Sequence, residues 1–338
     1  MISHIDHSRV IQKILDILSK NPGGIQQSQL PNLLNISRSY LSIILRDLER
    51  QGLIQRIKIG TTYIVKPLQI YHRSSDKVLR MGIVWSSEYL FLGYFVKMVK
   101  DSMDIDVEVN VYPNAIQTMV EMIKGNIDMA LSPLVTELYG YILSRDIVIV
   151  GGGAGGGSYI YEIPESRRNI VVSSNVSTMD LCRYIAIKRG LIDASDTNYF
   201  YSPSEAISIA KRGLAKYIIV WHPLSLSIEM LGARKVLGCG DLEEIYHCCT
   251  LAISRRLGFE NIEKLGSIYR MSIERFLADP TRFLEWYSLK TNIDISLLKK
   301  AVNLYRYDPE IDKHSLSLLL NTLSIEIPSR NEIMKAIL

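Results

Sequence analysis

Three groups of residues have types and spacings that could do chemistry. The first is Gly151-Gly152-Gly153-Ala154-Gly155-Gly156-Gly157, which formally contains G-x-G-x-x-G at Gly151, Gly153 and Gly156. A dinucleotide site needs a helix directly after such glycines, with its N-terminus aimed at pyrophosphate. Ser158-Tyr159-Ile160-Tyr161 follows instead and reads as a strand. No Gly-Lys-Ser/Thr is present, so a phosphate-cradling loop is also excluded. The run reads as a hinge, with Gly156, Gly157 and Ser158 in a pocket wall.

The second group lies where strands should end. Trp85, Ser86, Ser87 and Tyr89 follow one apolar run, Ser132 a second, and Trp221 with His222 a third. Open α/β sheets bind ligands at the C-terminal ends of their strands. Trp85 and Tyr89 could stack on a flat molecule while the serines hydrogen-bond it. Ser177 and Thr178 begin a helix, whose free N–H groups suit an anion or a polar headgroup. Ser177 with Asp180 also fits a plain cap, and Asp180 would repel an anion there. A neutral or zwitterionic ligand is favoured.

The third group is basic. Arg38, Ser39 and Tyr40, after Ser37, fill the first turn of a short helix, with Ser42 and Arg46 farther along. The Arg38 fork matches guanine O6 and N7 in a major groove. Arg46, Arg56, Lys58, Thr61 and Thr62 suit phosphates, which position a protein without specifying sequence. No Ser/His/Asp set or metal-spaced cluster stands out, and His247-Cys248-Cys249 lacks the surroundings of a catalytic motif. No catalytic residue, metal or cofactor is expected. The four cysteines, Cys182, Cys239, Cys248 and Cys249, include no C-x-x-C pair and read as buried free thiols, not as a zinc site or disulfide framework.

These groups need elements to position them. Val10, Ile11, Ile14, Leu15 and Leu18 recur at helical spacing, predicting a helix over 8–19. A short helix carries Leu30, Leu33 and Leu34. Asn35-Ile36-Ser37 then turns into a third helix, with Ser37 as N-cap and Gly52 as terminator. Residues 53–58 and 63–66, around Gly60-Thr61-Thr62, make a β-hairpin. From Val78 short apolar strands alternate with amphipathic helices, so the body is α/β: strands at 78–85, 106–112, 127–131 and 146–150, then at 169–173, 198–201, 216–221 and near 245–253. Mostly helical sequence follows. Two such sets joined through 146–162 predict two lobes facing a cleft.

Charge separates head from body. Residues 1–70 hold nine Lys/Arg against four Asp/Glu, a net +5, whereas the remaining thirty against thirty-one give −1. Excess positive charge confined to the first fifth of a chain points to nucleic acid. No run reaches the roughly 18–20 apolar residues of a membrane span, and MISHIDHSRV does not read as a secretory signal. A cytoplasmic location is expected.

The order of three helices and a hairpin, with the junction Leu48-Glu49-Arg50-Gln51-Gly52-Leu53-Ile54, resembles the winged helix-turn-helix domains of MarR-like and related archaeal and bacterial regulators. Gly125-Asn126-Ile127-Asp128-Met129-Ala130 is similar to a returning segment of type 2 periplasmic binding proteins. Ala215 to Pro223, with Gly232-Ala233 after it, is similar to another. Asp279-Pro280 and Ala301-Val302 fit their helical tail. Residues 78–306 thus resemble the sulfonate, taurine and thiamine-precursor group of ABC-transporter substrate-binding proteins, although His222 stands where that group often has an acid. The resemblance implies a winged-helix domain over 1–68, a linker over 69–77 and a two-lobed ligand-sensing domain over 78–338, an architecture like that of LysR-type regulators. The expected function is a ligand-responsive transcriptional regulator, not an enzyme. Its partners would be double-stranded DNA, a small polar effector and a second copy in a homodimer, with no membrane. The alternative is an enzyme related to thiamine-pyrimidine synthesis with a DNA-binding head.

Overall fold

The computed structural model describes residues 4–19, 21, 24–50, 53–59, 61–67, 77–164, 166, 168–323 and 334–337. Gly52, Gly60 and residues 69–76 of the expected linker lie outside them. The chain divides into two compact units: Met1–Asp76 with Arg255–Glu263, and Lys77–Ser254 with Lys264–Leu338.

The first unit contains α1 (His4–Ser19), β1 (Ile25–Gln26), α2 (Leu30–Leu34), α3 (Arg38–Arg50), β2 (Ile54–Ile59) and β3 (Thr62–Pro67). Leu41, Ile44, Leu45 and Leu48 recur every three to four residues, so one face of α3 is apolar. That face is buried with Ile14, Leu18, Leu30, Ile54 and Val65. Asn35 ends α2 in the left-handed region at φ 52°, and its N–H reaches the Pro31 carbonyl. The Ser37 hydroxyl accepts from the Tyr40 N–H at 3.2 Å, the expected N-cap. β2 and β3 pair antiparallel across the hairpin, with Arg56 opposite Val65 and Lys58 opposite Tyr63. β1 was not foreseen; two residues long, it joins the outer edge of β3 through Ile25 and Gln26.

The second unit is built on two sheets. β4 (Val78–Val84), α4 (Leu92–Met103), β5 (Asp106–Tyr112), α5 (Ala115–Lys124), β6 (Met129–Pro133), α6 (Leu134–Ser144), β7 (Ile147–Ile149) and β8 (Gly153–Gly156) form most of the first half. The chain then crosses at Gly157. The second half comprises β9 (Ser158–Glu162), β10 (Ile170–Ser174), α7 (Thr178–Lys188), β11 (Asp196–Phe200), α8 (Pro203–Lys211), β12 (Tyr217–Trp221), α9 (Leu224–Glu229) and β13 (Arg234–Gly238). β14 (Cys249–Ser254) returns to the first sheet, followed by α10 (Phe259–Ala278), α11 (Leu284–Thr291), α12 (Ile295–Ala301), β15 (Tyr305–Asp308) and α13 (Lys313–Thr322).

The first sheet has the order β15-β8-β14-β6-β4-β5, with β7 also on β14; the second is β11-β10-β12-β9-β13. β4 is parallel to β5 and β6, whereas β14 is antiparallel to β6. β10 is parallel to β11 and β12, and β9 runs antiparallel to β12 and β13. All five residues of β12 are buried, as expected of a strand covered on both faces. No helix among the described residues is long and apolar enough to cross a membrane.

Three features differ from the sequence expectations. Tyr305–Asp308 is a strand inside sequence read as helical, pairing Tyr305 with Gly156 and Tyr307 with Ala154. The glycine run, read as a hinge and pocket wall, contains a strand, Gly153–Gly156, paired on both edges. Its glycines permit close approach: a Cβ at Gly155 would strike the Tyr246 carbonyl and one at Gly153 the Cys249 carbonyl. Finally, Cys182 and Cys239 are joined in a disulfide, Cα atoms 5.5 Å apart, tying α7 to the turn after β13. Only Cys248 and Cys249 are free thiols, and both are buried.

Candidate functional site

The expected ligand residues lie along the seam between the two sheets of the second unit. The loop after β4 supplies most of them. The Trp85 N–H donates to the Tyr112 carbonyl at 2.8 Å and its indole to the Thr291 carbonyl at 3.0 Å. The Tyr287 hydroxyl donates to the Ser86 carbonyl at 2.6 Å, and the Ser86 hydroxyl accepts from the Glu88 N–H at 3.2 Å. These bonds tie the loop to β5 and α11.

From the opposite sheet, Trp221 and His222 at the end of β12 meet this loop. The Trp221 indole donates to the Trp85 carbonyl at 2.7 Å. Ser87 Oγ lies 2.6 Å from His222 Nδ1 and 2.8 Å from the Tyr305 hydroxyl. Burial lowers the His222 pKa. The neutral imidazole is thereby favoured, and its Nδ1 shares a hydrogen bond with the Ser87 hydroxyl. The His222 N–H donates to the Gly157 carbonyl at 2.8 Å, and His222-Pro223 is cis. Gly157 itself has φ 68°, and a Cβ there would strike the Tyr305 ring.

Helix α7 closes the seam from its N-terminus. The Ser177 hydroxyl caps the helix by accepting from the Asp180 N–H at 3.4 Å and donates to the Ser174 carbonyl at 2.6 Å. The Thr178 hydroxyl crosses to the Cys248 carbonyl at 2.9 Å. Thr136 of α6 crosses to the Val176 carbonyl at 2.5 Å. Ser177 also lines a groove between α6 and α7 with Tyr139, Asp180, Arg183 and Tyr184. Asp180 and Arg183 form an ion pair there at 2.7 Å.

Ten of the twelve expected ligand residues thus separate into two sets. Trp85, Ser86, Ser87, Trp221, His222, Gly157, Ser177 and Thr178 have backbone or side-chain bonds that fix the seam. Ser132 and Ser158 are buried with hydroxyls that have no protein partner, and Ser173 on β10 shares that property. Buried polar groups normally find a partner, so these three hydroxyls, like that of Tyr307, stand out as unsatisfied. Gly156 lies at the end of β8, where its φ of 95° carries the chain into the crossing.

Beneath Ser87 lies a cluster absent from the sequence reading. The Cys249 thiol donates to Glu88 Oε1 at 2.8 Å and accepts from the Tyr89 hydroxyl at 3.1 Å. Cys248 Sγ lies 3.7 Å from Cys249 Sγ. Burial raises the pKa of Glu88 and pushes that of Cys249 well up, and that of Tyr89 too. Tyr89 faces this cluster, in contrast to the stacking role expected of it. The one available signal was Glu88 itself, a single acid in the otherwise uncharged stretch Trp85-Ser86-Ser87-Glu88-Tyr89-Leu90-Phe91.

In the first unit, Ser37, Arg38, Ser39 and Arg46 are exposed along α3, whereas Tyr40 and Ser42 are half-buried. Lys58 on β2 and Thr61 at the hairpin tip are exposed, and Thr62 is half-buried. Arg56 is engaged differently. Its guanidinium pairs with Glu49 at 2.6 Å, and its N–H donates to the same carboxylate at 3.1 Å. This clamp fastens the end of α3 to β2 and occupies the side chain expected to reach phosphate.

Comparison with known proteins divides along the same lines. Residues 8–67 match a domain of unknown function (DUF7343). An uncharacterized protein of Pyrococcus abyssi, PYRAB14350, is 37% identical over 57 residues, 17% of each chain. PH0614 of Pyrococcus horikoshii is 34% identical over 56 residues, again 17% of each. The chain therefore matches only about a sixth of the length of these relatives. The body is similar to a ligand-binding component of an ABC-type import system from Staphylococcus aureus: TM-score 0.64, 15% identity, 75% of this chain and 95% of that one. It is also similar to the alkanesulfonate-binding protein SsuA of Xanthomonas axonopodis pv. citri, with TM-score 0.63, 12% identity, and 78% and 99% covered. The SsuA of Escherichia coli aligns at TM-score 0.60 and 13% identity, with 78% and 92% covered. The body of the chain has the periplasmic-binding-protein-like α/β fold.

Proposed function

We propose that the chain is a ligand-responsive transcriptional regulator. In this reading residues 1–68 form a winged helix-turn-helix head, and the body from residue 78 senses a small polar metabolite between its sheets. The observation that carries the reading is α3. It is amphipathic, capped by Ser37, and exposes Arg38, Ser39 and Arg46, in a segment of net charge +5. A recognition helix enters the major groove N-terminus first. Arg38 would read a base edge there; Arg46, Lys58, Thr61 and Thr62 would hold phosphates.

The body supports a sensor. Its structural neighbours are ligand-binding components, and the unpartnered hydroxyls of Ser132, Ser158 and Ser173 face no protein group of their own. A molecule bonded by these hydroxyls binds best with the sheets closed, and only such a difference in affinity shifts the closed population. The regulator acts as a homodimer in the cytoplasm, reading paired half-sites, with no catalytic turnover.

The test is fluorescence anisotropy with genomic fragments from upstream of the chain's own gene, comparing wild type with Arg38→Ala. Loss of a guanine contact costs about 1–3 kcal/mol, so affinity for the preferred fragment should fall roughly 5- to 150-fold. Equal binding of both proteins to all fragments contradicts the reading. The enzyme alternative has one observation in its favour, Ser87 Oγ 2.6 Å from a neutral His222, a hydroxyl beside a potential base. It requires that His222→Ala abolish turnover of a thiamine-precursor-like substrate.

A further inference from the structure

We infer that Glu88, Cys248 and Cys249 form a site for one zinc-class divalent cation, set in the seam between the two sheets of the body. Their donor atoms all lie within 4.8 Å of one another. The two sulfurs are 3.7 Å apart, and a tetrahedral ion with Zn–S bonds of about 2.3 Å requires an S···S edge of about 3.8 Å. The thiol pair already has that edge. The Glu88 Oε1 to Cys249 Sγ distance of 2.8 Å is shorter than the S···O edge of about 3.5 Å that zinc requires. Across this short gap the Cys249 thiol donates its proton to the carboxylate. Loading the ion releases that proton and the Cys248 proton to solvent, and the carboxylate swings back by a fraction of an ångström.

Glu88 has no side-chain cation beside it: among the described residues no Lys, Arg or His pairs with it, although its side chain is only 5% exposed. An anionic carboxylate in such a place is costly unless a positive charge meets it. Its neighbours are instead a tyrosine hydroxyl and the two thiols.

The ligands are also held from outside. The Cys248 N–H donates to the Ala154 carbonyl, and the Cys248 carbonyl accepts from the Leu134 N–H and the Thr178 hydroxyl. Ser86 fixes the Glu88 backbone. Outer contacts of this kind orient ligands and tune affinity. Three protein ligands leave a fourth position open, as in zinc sites that exchange a bound molecule. Because Thr178 comes from the second sheet's helix and Glu88 from the first sheet's loop, an ion here bears on the seam itself. That the open position anchors the sensed metabolite rests on the regulator reading above; the metal site does not.

The experiment is a Co(II) titration of the full-length protein, stripped of metal by chelation with Cys248 and Cys249 kept reduced, followed by Zn(II) displacement. The expected result is one equivalent of cobalt with a thiolate-to-metal charge-transfer band that zinc abolishes. The band should vanish in Cys248→Ser/Cys249→Ser. In Glu88→Gln it should persist, with affinity lowered roughly tenfold or more. A wild-type titration without a thiolate band overturns the proposal, and so does a band unchanged in the double variant. Should the variants not fold, zinc-edge absorption on the wild-type chain decides: two sulfurs at about 2.3 Å support the site, and fewer overturn it. None of these readouts involves DNA, so failure of the regulator reading would leave them intact.

Discussion

Ser87 and His222 illustrate how much of the body depends on single hydrogen bonds. Ser87 Oγ bridges His222 Nδ1 and the Tyr305 hydroxyl, joining residues 135 and 218 positions away. Ser87→Ala would leave the buried Nδ1 of His222 without its partner, which costs about 1–3 kcal/mol. Denaturant unfolding should show that loss, and an unchanged midpoint would mean that the bond contributes nothing. Glu137 makes a different prediction. It is fully buried in α6, accepts from the Thr250 hydroxyl at 2.5 Å, and burial raises its pKa well above the ordinary 4.5. The folded chain therefore keeps a proton that the unfolded chain releases above about 4.5. Glu137 stability is fully present below that pH and is lost as pH rises towards the folded value. Glu137→Gln should flatten this decline and raise the melting temperature at pH 8 relative to wild type. A variant whose pH profile parallels that of wild type would refute the assignment.

Among the elements, the crossing strand shows why glycine is required and not merely tolerated. Gly157 has φ 68°, and its missing Cβ makes room for the Tyr305 ring. Gly157→Ala should destabilise the body by roughly 2 kcal/mol or more, from left-handed backbone and overpacking together. Thermal unfolding of the variant measures this, and an unaltered transition would show that the crossing relaxes freely. The other elements differ in how legible they were. Helices such as α3 and α5 carried a clear apolar period, and parallel strands such as β4 and β12 carried continuous apolar runs. β15 did not, because Tyr-Arg-Tyr-Asp is four residues long and its alternation has meaning only beside β8. β1 is shorter still. The disulfide was illegible because Cys182 and Cys239 lie 57 residues apart and only the packing of α7 on the turn after β13 brings them together. The arrangement of the candidate residues was legible only in part. Strand ends pointed to Trp85, Ser86, Ser87, Ser132, Trp221 and His222, but the meeting of Glu88 with Cys249 spans 161 residues and no local pattern records it.

At the scale of the whole molecule, charge and polar burial are segregated. The head carries the net +5 and the remainder −1; in the regulator reading proposed above, DNA affinity would come from the head and decline with salt according to the few phosphates it neutralises. The body carries the buried serines, the Ser87–His222 latch and the Glu88–Cys248–Cys249 cluster, which suit small ligands and not a polyanion. In the proposed regulator, control of one by the other would act through geometry and not through added charge. The most direct test is selection of genomic DNA fragments by the full-length protein at moderate salt, with bound fragments sequenced. The account predicts enrichment of a small set of fragments sharing paired half-sites, and loss of that enrichment in Arg38→Ala. Recovery of fragments in proportion to their abundance, identical for wild type and variant, would contradict it.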